Sequence, residues 1–335
     1  MTADGGQTKK LTSAVVGGSG FTGALLAELI LRHPSLQLTH ISSDTLAGTP
    51  VSSVLPRVRT ELSFCRHDEV TGVDAAFVCL PDGAAAPLVK RLFDDGARVV
   101  DLSPDFRLRA EVYAQWYGEH PFPEMLPGVY GLTELHREQI AGARLVANPG
   151  CYPTAALLAL EPLRSLALED VIIDAKSGAS GAGKAPSERT HFCTVDSDVL
   201  AYGVAGHRHY PELAAGLGWD DGGPSLTFVP HLVPLQRGIL ETIYVRVARP
   251  PTAAALRGLF SCAYADEPFV DICDEPPRLR DVVGTNSCRI FPMVDERGGR
   301  IVVIAAIDNL LKGACGQALQ NMNVMLGVPE QEGLP

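Results

Sequence analysis

The stretch LTSAVVGGSGFTGALLAELILRHP, residues 11–34, constrains the fold more than any other part of the chain. Residues 11–16 form an apolar strand signal that runs directly into Gly17, Gly20 and Gly23. A helical pattern follows, with Leu25, Leu26, Leu29 and Ile30 on one side and Pro34 beyond its end. A strand that ends in closely spaced glycines and opens a helix is the setting of a dinucleotide fingerprint. Glycine lets the backbone approach a pyrophosphate, and the helix N-terminus stabilises its charge. The cofactor-binding candidates here are Gly17, Ser19, Gly20, Phe21, Thr22 and Gly23. An ordinary strand-to-helix turn is the alternative. The spacing G-x-x-G-x-x-G departs from the G-x-G of the NAD fingerprint and fits NADP-type loops about as well.

The next apolar runs, 36–41, 75–79, 98–102 and 145–147, read as strands, with helical stretches around 83–94 and 133–141 between them. Strands alternating with helices predict a doubly wound parallel sheet covered on both faces, a Rossmann-type α/β domain over 1–150. Beyond residue 151 the strands lengthen: 171–176, 225–230, 239–247 and 301–307, with a helix near 252–264. That texture predicts a second α/β domain, 151–308, on a mixed or antiparallel sheet. A last helix at about 310–326, stopped by Gly327 and Pro329, forms a third segment, 309–335.

Composition closes off other classes. The chain has 335 residues, 46% hydrophobic and 20% charged, with a net charge of −11, which argues against a nucleic-acid surface. No apolar run reaches membrane-spanning length, and the polar start MTADGGQTKK carries no secretory signal, so a cytoplasmic location is expected. The 8 cysteines form no C-x-x-C pair and no short Cys/His metal spacing, so no metal site is expected and most are free thiols.

One cysteine differs from the rest. Cys151, in ANPGCYPTAA, sits between the strand at 145–147 and a helix from about 153, where Pro153 suits an early helical position. A thiol at that junction feels the positive end of the helix dipole, which is expected to lower its pKa. A small buried hydrophobe is the competing reading. GHRHYPE, residues 206–212, supplies His207, His209 and Glu212, and histidine is the usual partner of a reactive thiol. KSGASGAGK, residues 176–184, can offer backbone N–H groups around Ser177, Gly178, Ser180 and Gly181. Arg107, in DLSPDFR, is a candidate anion clamp unless it pairs with Asp105. Ser42, Ser43 and Asp44 follow the second strand, where cofactor choice is made. The serines could donate to a 2′-phosphate, and the aspartate would repel it, leaving NADP and NAD both open. A dinucleotide site, a lone thiolate and a histidine together suit metal-free interconversion of an aldehyde and an acyl group through a thioester.

NPGCYPTA (148–155), SGASGAGK (177–184), GHRHYPE (206–212), PHLVPLQRGIL (230–240) and DNLLKGACGQALQNMN (308–323) resemble, in order, the N-acetyl-gamma-glutamyl-phosphate reductase family. So do GGSGFTG, DLSPDFRL and PGVYGL, and the similarity runs from about residue 13 to residue 327. The resemblance implies a Rossmann domain, then a substrate and dimerisation domain, with the last helix returning to the first. A homo-oligomer, dimer or tetramer, is expected. It implies NADPH-dependent reduction of N-acetyl-glutamyl 5-phosphate, a small-molecule substrate, to the 5-semialdehyde with release of phosphate. By the same resemblance Cys151 matches the nucleophile and His207 the histidine that supports it. His209 and Glu212 match substrate-site positions, and Asn309 matches a residue near the nicotinamide. Asp82 stands where family members usually carry histidine, and Asp44 where many carry a basic or small residue. The competing readings are a semialdehyde dehydrogenase for aspartyl phosphate or carrier-bound aminoadipyl phosphate, a Cys/His hydrolase, and a non-catalytic nucleotide sensor.

Overall fold

Strand–helix alternation in the first half yields a six-stranded sheet with every neighbour parallel, in a computed structural model that describes residues 10–335. The polar stretch 1–9, which carries the expectation about a secretory signal, lies outside the described residues. The strands are β1 (Leu11–Val16), β2 (Leu36–Ser42), β3 (Ala75–Val78), β4 (Arg98–Asp101), β5 (Val129–Tyr130) and β6 (Leu145–Ala147), in the order β2-β1-β3-β4-β6-β5. β3 is buried along its whole length, as a parallel strand covered on both faces requires. The chain leaves β1 for β2 on one side and returns to β3 on the other. The carboxyl ends of β1 and β3 therefore flank a topological switch point, the place where open α/β sheets bind ligands.

The second sheet is mixed. Its strands are β7 (Leu168–Ser177), β8 (Leu200–Ala201), β9 (Ser225–Leu232), β10 (Ile239–Val247), β11 (Val270–Ile272), β12 (Cys288–Asp295) and β13 (Arg300–Ile307), ordered β11-β12-β13-β10-β7-β9-β8. The inward positions of β10, Ile239, Glu241, Ile243, Val245 and Val247, alternate with partly exposed ones. Four of them, Ile239, Ile243, Val245 and Val247, share one apolar cluster with the helix Cys151–Leu160.

The expected α/β architecture with a parallel and a mixed sheet is what the chain adopts. β5, β8, β11 and β12 go beyond the sequence expectation. β12 contains Pro292, which argues against a central strand. It is tolerated because β11 pairs only as far as Ile290, so at Pro292 the strand has a neighbour on its β13 side alone.

The last helix begins with a wide turn. Gly313 N–H donates to Asp308 O at 2.9 Å and Cys315 N–H to Leu310 O at 3.0 Å, five residues back, before a regular helix over Gly316–Leu326. Leu311, Ala318 and Met322 pack in the same apolar cluster as Val15, Leu26 and Phe77 of the first sheet and its helix. The buried Lys312 ammonium bonds Glu134 at 2.5 Å and Gln320 at 2.8 Å, tying this helix to Thr133–Ala141. No described helix is long and apolar enough to cross a membrane. No cluster of three or more His, Cys, Asp or Glu among the described residues could hold a metal ion.

Candidate active site

The turn Asn148-Pro149-Gly150 carries the chain from β6 into the helix Cys151–Leu160, so Cys151 is the first helical residue and Pro153 the third. Proline fits there because first-turn N–H groups have no intrahelical partner. The turn is pinned from several sides. Asn148 donates to Ala314 O (3.2 Å) and accepts from Asn321 (3.0 Å), and Gly150 N–H donates to Glu212 Oε1 at 2.7 Å. Gly313, in the wide turn of the last helix, lies so close that an added Cβ would sit 2.8 Å from Cys151 Cβ.

Glu212 is buried and fully engaged. Besides Gly150 it accepts from the Tyr130 hydroxyl at 2.8 Å and from Arg107 at 3.0 Å. Arg107 also donates to Asn148 O and Leu102 O, both at 2.8 Å. Arg107 therefore pairs with Glu212, not Asp105. The Asp105 carboxylate accepts from Gly83 N–H, Ala86 N–H and the Tyr113 hydroxyl instead.

A cleft of about 540 Å³ opens beside the thiol at the switch point. Of the sequence candidates, Gly20, Phe21, Thr22 and Gly23 line it at one end. Arg107, Cys151, Ser180, Gly181, His209 and Asn309 line the rest. The two histidines separate. His209 lies against the N-cap of the cysteine helix, where a Cβ on Gly150 would come within 2.5 Å of its Nε2. His207 is absent from this cleft and lines a neighbouring chamber of about 500 Å³ with Tyr117, Arg189, Tyr202 and Arg208. Arg107 and His209 border both spaces. His207 Nδ1 accepts the His209 N–H at 3.1 Å, and the edge of Tyr152 meets both rings. Asp82 ion-pairs with Arg208 at 2.5 Å across the rim of that chamber.

Electrostatics reverse one expectation. Burial pushes the Cys151 thiol up to about 12, against the smaller opposing pull of the Tyr152 N–H and Arg107. The helix terminus does not yield a resting thiolate. Burial, followed by His207 and Arg107, holds His209 well below the usual imidazole range, and its Nδ1 is buried without a partner among the described residues. Burial likewise lowers His207 to about 4. At neutral pH the site thus holds a neutral thiol beside a neutral imidazole.

Of the remaining candidates, Gly17, Ser19, Ser42, Ser43, Ser177 and Gly178 do not line the cleft. Gly17 has φ +80° and a Cβ there would meet Cys79 O at 2.4 Å, while one on Gly23 would meet Gly17 O at 2.5 Å. Those two glycines close the loop, and Gly20, with nothing nearer than 3.7 Å, leaves its surface open. Ser42 accepts the Gly17 and Gly18 N–H groups on its carbonyl and bonds His67 with its hydroxyl at 2.8 Å. Ser43 bonds Ser19 at 3.1 Å, and Asp44 accepts the His67 N–H at 2.8 Å. Ser177 bonds Gly178 O at 3.0 Å, and Gly178 packs on the backbone of Gln236 and Arg237. Asn309 is oriented from both ends, accepting Gly238 N–H at 2.7 Å and donating to Ser180 at 2.9 Å. Sequence reasoning passed over Asn148, Gly313 and Lys184, which also line the cleft. A glycine inside the last helical pattern was the available signal for Gly313.

Comparisons with known proteins agree with this arrangement. Residues 12–143 match the family model for the semialdehyde dehydrogenase NAD binding domain, and residues 151–309 that for the semialdehyde dehydrogenase dimerisation domain. The chain is therefore built to bind a pyridine nucleotide and to self-associate through its second part. It is 48% identical to an N-acetyl-gamma-glutamyl-phosphate reductase of Dehalococcoides mccartyi, over 97% of this chain and 98% of that protein. It is 46% identical to one from Pseudomonas aeruginosa, over 96% of each. Among solved structures it is similar in fold to aspartate semialdehyde dehydrogenase II from Vibrio cholerae. That likeness has a TM-score of 0.75 at 16% identity and covers 96% of this chain and 99% of that one. Aspartate semialdehyde dehydrogenase with NADP from Candida albicans is similar at a TM-score of 0.67 and 14% identity, covering 95% and 99%.

Proposed function

The chain belongs to the N-acetyl-gamma-glutamyl-phosphate reductase family, and on that premise we propose that it reduces N-acetyl-L-glutamyl 5-phosphate to N-acetyl-L-glutamate 5-semialdehyde and phosphate, in arginine biosynthesis. The observation that carries the reading is a single cleft holding an open glycine loop, the Cys151 thiol and the His209 ring.

A nicotinamide dinucleotide fits the glycine-loop end. Gly20 leaves the loop open, and the helix Phe21–Arg32 has no acidic residue in its first turn to repel a diphosphate. When bound there it supplies the hydride. Gly20 to Gly23 would hold its phosphates, and Ser180, Gly181 and Asn309 are the residues that would receive the nicotinamide. We propose NADPH over NADH. The Ser19 and Ser43 hydroxyls, bonded to each other at 3.1 Å, are the donors that would turn to a 2′-phosphate, and Asp44 is held by the His67 amide.

Cys151 is the nucleophile. Its sulfur attacks the acyl carbon, the carbon–oxygen bond to phosphate breaks, and a thioester forms. A neutral thiol must lose its proton during attack, and in this reading His209 carries that proton to the departing phosphate oxygen. After reduction the thiohemiacetal collapses, releasing the aldehyde, and the sulfur regains a proton from solvent through His209. This assignment reverses the order of the two histidines expected from sequence, because His207 faces the neighbouring chamber. Arg107 and Glu212 fix the Cys151 turn, and Arg107 faces the acyl phosphate. The division into nucleotide-binding, catalytic and dimerisation, and returning C-terminal segments belongs to the same proposal, as does a homodimer or tetramer.

The test is oxidation of N-acetyl-L-glutamate 5-semialdehyde, run in parallel with aspartate semialdehyde and with NADP or NAD. The expected result is NADP-dependent, phosphate-requiring turnover of the N-acetylated substrate. Faster turnover of aspartate semialdehyde, or a preference for NAD that Asp44→Ser removes, would contradict the substrate or the cofactor assignment respectively.

A further inference from the structure

The cleft has to receive phosphoryl oxygens twice, from the dinucleotide's diphosphate and from the acyl phosphate, yet it is poor in available positive charge. Arg107 and Lys184 are its cationic lining residues among those described, and none of the lining residues is acidic. Arg107 is neutralised by Glu212 at 3.0 Å, and three of its donors are committed to protein acceptors. Lys184 differs. Among the described residues no carboxylate lies within ion-pair reach of its ammonium, which donates to the Ser19 carbonyl at 3.2 Å.

The chain delivers Lys184 to that place by a defined route. The base of its loop is fastened to the connection between β9 and β10: Gly178 N–H donates to Gly238 O at 3.0 Å, Ala179 N–H to Leu235 O at 2.8 Å and Ser180 N–H to Gln236 O at 3.0 Å. A short turn over Ala179–Ala182 follows, and Gly183, at φ +85°, redirects the chain toward the first sheet. Lys184 thereby bridges to the residue that precedes Gly20, the open glycine. An exposed ammonium held only by a neutral carbonyl exchanges that acceptor readily for a charged phosphoryl oxygen, because a charge-assisted hydrogen bond is the stronger one.

We propose that Lys184 is the phosphate-binding cation of the cleft, a ligand for a phosphoryl oxygen of the dinucleotide or of the acyl phosphate. The proposal rests on the reading of the cleft as a dinucleotide and acyl-phosphate site. It adds a residue to which that reading gives no part.

Two measurements on the full chain test it without turnover. One is the NADPH Kd by fluorescence titration. The other is the inorganic phosphate concentration that half-protects Cys151 from iodoacetamide. Lys184→Met is expected to raise one of these about tenfold or more, as loss of a charge-assisted contact does, and Lys184→Arg to hold both within about threefold. A rise in the NADPH value assigns the contact to the diphosphate, and a rise in the phosphate value assigns it to the acyl phosphate. Both values staying within about threefold in Lys184→Met overturns the proposal, as does an equal loss in Lys184→Arg, which marks a structural role. Failure of the wild-type chain to act on the N-acetylated substrate counts against the proposed function alone.

Discussion

At its glycine-loop end the cleft is lined by Gly20, Phe21, Thr22 and Gly23: Gly20 is open, and Gly23, with Gly17 behind it, is closed against a neighbouring carbonyl. At its thiol end, His209 Nδ1 excepted, the neighbouring polar side chains are already engaged. Glu212 accepts from Gly150, Tyr130 and Arg107, Asn148 bridges to Ala314 and Asn321, and Asn309 is held from both sides. A dinucleotide needs close backbone approach and unoccupied N–H groups. A covalent step needs a thiol and a base that do not move. The first end is available and the second is preorganised.

The thiol end gives the largest expected effects. His209→Ala should cut turnover about 10²- to 10⁴-fold, the usual range for a general acid–base, while His207→Ala costs less than about tenfold. The pH profile separates the two further. With the thiol pushed up to about 12, wild-type alkylation of Cys151 should keep rising beyond about pH 10, where an ordinary thiol, half ionised near about pH 8.5, has levelled off. A larger loss in His207→Ala would reassign the base to the neighbouring chamber.

Glu212→Ala tests whether the engaged network holds the thiol end together. It leaves the buried Arg107 without its anion and frees Gly150 N–H, and breaking a buried pair in this way costs about 3–5 kcal/mol. Urea unfolding should show that loss, and NADPH binding to the folded fraction should stay near the wild-type value. An unchanged midpoint would mean that Glu212 is dispensable to the scaffold.

The smallest effects lie in the glycine loop and distinguish closure from contact. Gly23→Ala forces a Cβ to within 2.5 Å of Gly17 O, and overpacking of this kind costs about 1–3 kcal/mol of stability. Gly20→Ala adds a Cβ that meets only Gly17 O, at an unstrained 3.7 Å, so stability should hold while the NADPH Kd rises. Equal effects of the two substitutions on stability would show that the loop has no open side.

What could be read from sequence follows the range of the interactions involved. β1, β6 and β10 start and end within a residue of the expected positions because their apolar patterns and bounding turns are local. β12 was hidden by Pro292, whose tolerance depends on where β11 stops. The position of Cys151 at a strand–helix junction was legible in ANPGCYPT, since Asn, Pro and Gly write the turn. Its raised pKa was not, because burial comes from residues distant in sequence, such as Gly313 packed on its Cβ. His207 and His209 stand two apart in a loop with no period to sort their faces. Only the fold sets one ring against Gly150 and the other against Tyr202 and Phe228. Arg107 and Glu212 likewise find each other across 105 positions of chain.

The central claim, a thioester on Cys151, is tested most directly by intact-protein mass spectrometry after mixing the chain with N-acetyl-L-glutamyl 5-phosphate without cofactor. The account predicts one N-acetyl-glutamyl adduct per chain, located at Cys151, discharged by NADPH and absent in Cys151→Ser. Full turnover by Cys151→Ser, or an adduct on another residue that NADPH discharges equally well, would contradict it.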